Sequence, residues 1–228
     1  MTTARQEVLQ RIRAALLTAV LPMPAEPALM AAPVGDTEDL VDVFRREAEA
    51  VGAVVHGPVS PSEAAACITR VLRAAGARRL LTWNPAEMGV AGLAEDLERE
   101  GFETLDPRLP VDPANRAKAL LQLGEAEVGL TGASAGLADT GTLVLRSGPG
   151  RPRLACLLPP VHVALLPARL ILPSLADFLS GAAQAAMDHA NLVLISGPSR
   201  TGDIELTLLR GMHGPREVHI IVLADSKA

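Results

Sequence analysis

Between Arg5 and Leu21 apolar residues recur at Val8, Ile12, Leu16 and Ala19, with arginines on another face, a spacing that predicts an amphipathic helix. Pro22, Pro24, Pro27 and Pro33 follow as a stiff, non-helical linker, so residues 1–35 read as an arm joined to a domain at 36–228. The arm packs either on its own domain or on a partner. From Asp36 helical and strand patterns alternate. Asp36 caps a helix whose inward face is Leu40, Val43, Phe44 and Val51, and Gly52 ends it. A short strand at Ala53–His56 leads to a helix capped by Ser60 or Ser62, with Ile68, Val71 and Leu72 inward and Gly76 at its end. Leu80–Trp83 is the next strand. Asn84-Pro85 opens a helix through Leu93 and Leu97 that Gly101 stops. A strand at Phe102–Leu105 and a helix from Asp112-Pro113 to Leu123 complete this half.

Such βαβα succession implies an α/β fold with an open, mainly parallel sheet and helices on both faces. Beyond Glu127 strands crowd together at Val128–Thr131, Thr142–Arg146, Leu154–Leu158 and Val161–Leu166, which predicts a meander or antiparallel addition. A helix near Leu175–Met187, a strand at Leu192–Ile195, a helix from Asp203 and a strand at Val218–Leu223 close the chain.

Composition narrows the function classes. At 228 residues, 49% of them hydrophobic, and with mean hydropathy +0.26, the chain can fill one sizeable core. A net charge of −5 and 2% aromatics leave neither a basic footprint for a phosphate backbone nor rings to stack bases, so nucleic acid is not an expected partner. The most apolar stretch, Leu154–Leu172, is interrupted by Pro159, Pro160, Pro167, His162 and Arg169, which predicts buried strands and no membrane insertion. Arginines through the N-terminal segment leave no signal-peptide core, and the expected location is the cytoplasm. Cys67 and Cys156 form neither a CxxC pair nor a four-thiolate set, and the histidines show no metal-ligand spacing. No metal, flavin or cluster is therefore expected on this chain. A dinucleotide fingerprint and a P-loop are also missing.

Candidate chemistry lies in three Gly-rich loops attached to apolar runs. They are GLTGASAGLADTGTLVLRSGPG (Gly129–Gly150), ISGPSRTGDIEL (Ile195–Leu206) and GMHGPREVHIIVL (Gly211–Leu223). Backbone N–H groups and short hydroxyls on such loops suit a small anion. Ser199, Arg200 and Thr201 are candidate anion binders at a helix start, with Asp203 beside them and Thr131, Ser134 and Thr140 on the facing loop. Asp139, Glu205 and His213 are candidate proton-handling groups. Each also has a structural reading: Ser199 or Thr201 as a helix cap, Asp139-Thr140-Gly141 as a hairpin turn, His213 as a turn histidine.

Taken in order, TGASAGLADTGTLVLRSGPG, LLPPVHVALLP, GPSRTGDIEL and GMHGPREVHIIVL resemble the lactate utilisation protein C family, the LUD-domain proteins. The resemblance is strong from about Val128 to the end. It implies a fold similar to the sugar-phosphate isomerase and CoA-transferase superfamily. It also implies a cytoplasmic role in oxidising L-lactate to pyruvate beside iron–sulfur proteins, which would carry the clusters. The family motif usually reads Ala-Glu-Thr-Gly, whereas Asp139 follows Ala138 here, and Gly202 replaces a more usual Ala. On this reading a small carboxylate or anionic group sits between the Ser134/Asp139/Thr140 loop and the Ser199–Asp203 loop. Two rivals stand beside it: an independent enzyme on a phosphorylated or acyl metabolite, and a non-catalytic assembly subunit.

Overall fold

The structure is a computed structural model that describes residues 4–18, 39–182, 191–202, 208–211 and 213–225. The chain forms two units, Met1–Ala32 and Pro33–Ala228. In the first, α1 (Ala4–Thr18) is a single helix on which Val8, Leu9 and Ile12 are exposed. Residues 19–38, including the prolines of the linker, lie outside the described residues.

The second unit is built on a six-stranded, wholly parallel sheet. In chain order its strands are β1 (Val54–Val59), β2 (Arg79–Thr82), β3 (Glu103–Thr104), β4 (Val128–Gly132), β7 (Val161–Pro167) and β12 (Glu217–Leu223). Their spatial order is β1-β12-β7-β4-β2-β3. The central strands VHVALLP and EVHIIVL read as near-continuous apolar runs because helices or a second sheet cover both their faces.

The register divides the side chains between those faces. Val54 pairs with His219 and Ile221 with Leu165, whereas Val222 pairs with Leu166 and Gly129 with His162 on the other face. Helix α2 (Leu40–Ala50) brings Phe44 onto the Leu166 face. Helices α3 (Pro61–Ala74) and α4 (Leu93–Arg99) pack together on the opposite side, with Ile68 and Leu72 fully buried. The helix starts follow capping chemistry. Asp39 accepts from Val41 N–H, Ser60 and Glu63 form a capping box before Pro61, and Asp112 caps α5 (Pro113–Leu123) through Asn115 N–H. The cap of α2 is therefore Asp39, not Asp36.

The crowded segment forms a second, four-stranded sheet of order β8-β5-β6-β9. Its strands are β5 (Ala135–Leu137), β6 (Thr142–Ser147), β8 (Ile171–Leu172) and β9 (Asn191–Ile195), with α6 (Leu175–Ala182) against its outer face. Its inner face lies on the main sheet. A side chain at Gly136 would run into Leu166 and Phe44, so glycine is the residue that lets the two layers meet.

Two sequence expectations need correction. The strand at Leu154–Leu158 is a 3₁₀ turn at Arg153–Cys156, because Pro152, Pro159 and Pro160 bracket it and cannot donate to a ladder. The single helix from Asn84 breaks into a 3₁₀ turn (Pro85–Glu87) and α4, since Gly89 and Gly92 adopt φ of 76° and 72° between them. The helix expected from Asp203 starts on residues that lie outside the described ones. β10 (Arg200–Gly202) and β11 (Leu208–Arg210) pair as antiparallel strands, and residues 203–207 lie outside the described residues. Residues 183–187 of the expected helix after Leu175 also lie outside them.

Candidate functional site

Open α/β sheets hold small ligands at the carboxyl ends of their strands, where the loops diverge. In this protein β7 and β12 end at Pro167 and Leu223, beside the start of α3. A crevice of 260 Å³ opens there, lined by Pro61, Ala64, Gly89–Ala91, Pro167, Arg169, Leu223 and Ala224. Its polar endowment is uneven. The positive start of α3 is already answered by its own Glu63, whose Oε2 accepts from Ser60 Oγ at 2.6 Å and from Ser60 N–H at 3.3 Å. Those bonds hold Glu63 below the usual glutamate range, the hydroxyl contributing most. Arg169 is different. Its side chain is 65% exposed, and its guanidinium meets only Asp225, at 3.4 Å, among the described residues. It is the cation at this edge with bonding capacity to spare for a carboxylate.

The three Gly-rich loops gather at the other end of the sheet. Thr142 Oγ1 and Ser196 Oγ are 2.8 Å apart, so the Asp139 loop and the Ser199 loop do converge. Ser199 is stitched to the third loop: its N–H donates to Pro215 O at 2.9 Å and its carbonyl accepts from Gly211 N–H at 3.1 Å. The first two meet the C-terminal end of α2 directly. Gly141, at φ 61°, presses so closely on Glu47 and Ala48 that a Cβ would collide with their backbone. Arg200 Nη2 donates to Val51 O at 2.6 Å.

This end of a helix carries partial negative charge and calls for a cation, which Arg200 supplies internally. Arg200 and Thr201 thus lie on a strand beside a helix C-terminus, not at a helix N-terminus.

Individual candidates distribute as follows. Thr131 is fully buried and bonded to His162 Nε2 at 2.9 Å, inside the sheet and not on a loop. Ser134 is half-buried and gives its N–H to Val144 O. Asp139 gives its N–H to Pro173 O and accepts the exposed Thr140 hydroxyl at 3.2 Å, a hairpin-turn arrangement. His213 is exposed on the Gly211–Pro215 turn. Asp203 and Glu205 lie outside the described residues.

Sequence reasoning missed two histidine sites. His162 is fully buried on β7, and burial alone lowers it to about 4, so it is neutral at ordinary pH. The stacked rings of His56 and His219 bring His56 Nε2 within 3.1 Å of His219 Nδ1, with Glu217 Oε2 3.6 Å from His219 Nε2. Burial first, then His219, Arg70 and Arg45, keep His56 below the ordinary histidine value. Only the sheet order, which makes β1 and β12 neighbours, sets the two rings diagonally on one face, His56 in register with Ile221 and His219 with Val54. Cys156 is likewise buried, and burial pushes its thiol up to about 11. Among the described residues no three His, Cys, Asp or Glu converge as metal ligands.

A wholly parallel six-stranded sheet covered on both faces defines an α/β protein. The chain belongs to the LUD domain family, whose family model matches residues 41–223. It is similar to lactate utilization protein C of Halalkalibacterium halodurans, 34% identical over 163 residues that span 69% of this chain and 68% of that one. It is also similar to the uncharacterized protein YkgG of Escherichia coli K12, 32% identical over 170 residues, 73% and 71% of the two chains. A crystal structure of a DUF162 family protein from Deinococcus radiodurans shares the fold, with TM-score 0.57, 21% identity, and coverage of 84% of this chain and 99% of that one.

Proposed function

We propose that this protein is a component of an L-lactate-to-pyruvate oxidising system in the cytoplasm, working with iron–sulfur proteins that carry the electron-transfer clusters. The observation that carries this reading is family membership across residues 41–223 together with relatives named lactate utilization protein C over about two thirds of their length. Two buried, separated cysteines on this chain support placing the clusters on the partners. No helix among the described residues is long and apolar enough to cross a membrane.

Within this role the carboxyl-edge crevice is the seat for a small carboxylate. Arg169 holds the anion, while Pro167, Leu223 and Val90 supply apolar walls that suit a short carbon skeleton. The loop cluster around Arg200 has its charge satisfied by Val51 and acts as a brace for α2. Purification with co-expressed iron–sulfur partners, followed by lactate-dependent dye reduction with and without this chain, tests the role. Reduction that is indifferent to the chain refutes it. Lactate titration of the isolated chain tests the seat separately.

A further inference from the structure

A sheet edge is a row of unpaired N–H and C=O groups, and soluble proteins blunt such edges. Among the described residues the two larger sheets have four edges, and three of these are blunted. On β1 the Arg45 guanidinium donates to the Val55 carbonyl at 3.2 Å and also to the Gly57 carbonyl, filling the edge from α2. β3 and β8, the edges at Glu103–Thr104 and Ile171–Leu172, are two residues long.

β9 is treated differently. Its sequence NLVLI has no charge and no proline. It pairs with β6 along one side and, among the described residues, with no strand along the other. Leu192 and Leu194 are 40% and 46% exposed on its outer face. Leu194 stands in register with Val144, which packs with Phe178 of α6, so these leucines extend an apolar surface that is already formed.

The strand is complementary to itself. In an antiparallel pair directly opposed residues share a face. A two-fold axis through Val193 sets Leu192 against Leu194 of a second copy, and both leucine pairs then fall on one face. An unlike partner gains no electrostatic handle from this uncharged strand, whereas the mirrored Leu-Val-Leu pattern fits its own copy. We infer that β9 is an interface for a second copy of this chain, two four-stranded sheets joining antiparallel into one of eight strands. The contact is short, so the dimer is reversible and concentration-dependent.

Analytical ultracentrifugation of the full chain tests this, independently of any ligand. The expected result is a mass rising from 23.8 kDa toward twice that value with concentration, accompanied by slower hydrogen exchange of β9 amides. Leu194→Lys should weaken the dimer at least tenfold, whereas Leu121→Lys, at a 77% exposed leucine of α5, should leave it unchanged. Should Leu194→Lys melt well below the parent, Leu192→Lys replaces it, and the exchange readout needs no variant. A chain that stays monomeric throughout overturns the inference. So does a dimer untouched by the β9 lysines with β9 amides exchanging freely, which would place the interface elsewhere.

Discussion

Arg200 reaches across 149 residues of sequence to donate its guanidinium to the Val51 carbonyl, 2.6 Å away, where α2 ends. One hydrogen bond therefore ties the Ser199 loop to the first helix of the domain and meets the helix's negative end. Arg200→Ala is expected to cost about 0.5–1 kcal/mol of stability, the usual value of an exposed cation at a helix C-terminus, and to leave lactate binding within about twofold. Paired melts and titrations decide. A tenfold loss of binding with unchanged melting would move the carboxylate seat from the crevice to this loop.

Arg169→Ala should show the opposite pattern. A charge-assisted bond to a bound carboxylate contributes roughly 1.5–3 kcal/mol, so affinity should fall by about tenfold or more. Its exposed pair with Asp225 contributes little, and the melting temperature should hardly move. Calorimetric titration with lactate and with a neutral analogue reads the effect. Equal affinity for parent and variant would remove the crevice as the seat.

Stability should fall on acidification because of His162. Its folded value near 4 lies below the unfolded 6.5, so the unfolded chain binds the extra proton between those limits. The contribution is complete above about pH 6.5 and drains away as pH falls toward 4, by about 3 kcal/mol in all. His56 acts in the same direction. Urea midpoints from pH 7.5 to 4.5 should show a flatter profile for His162→Gln, even though that variant is less stable at neutral pH. An unchanged slope would assign the acid sensitivity elsewhere.

Gly129 and Gly148 offer a contrast within one sequence motif. A Cβ on Gly129 would collide with the Ala155 carbonyl where the 3₁₀ turn crosses β4, whereas one on Gly148 would meet open space. Gly129→Ala should therefore cost upwards of about 2 kcal/mol, and Gly148→Ala should stay within about 0.5 kcal/mol. Thermal melts of the two variants check this, and equal costs would contradict the close crossing.

Much of the fold is written locally. The starts of α3 and α5 are marked in the sequence by Ser60 and Asp112-Pro113, and that of α2 to within three residues, at Asp36 instead of Asp39, because capping and turn chemistry act within a few residues. Apolar runs of strand length likewise mark β4, β7 and β12, and four ordered motifs suffice to indicate the family. What the chain could not disclose is which loops share an end of the sheet. Local patterns say that a strand is followed by a polar loop, but the role of the loop depends on strand order.

The Ser199 loop follows a strand of the second sheet and folds back to the C-terminus of α2, so the same Arg200 that reads as an anion binder in sequence becomes a helix cap in space. Conversely, Arg169 looks in sequence like a charge interrupting an apolar stretch, and only the adjacency of β7 and β12 sets it in a crevice beside α3. The His56–His219 contact and the Thr131–His162 bond arise the same way, from parallel register between strands far apart in the chain. Capping, periodicity and breaker residues are short-range forces and can be read in one dimension. Sheet order is settled by which faces can be buried together, and that is a property of the packed whole.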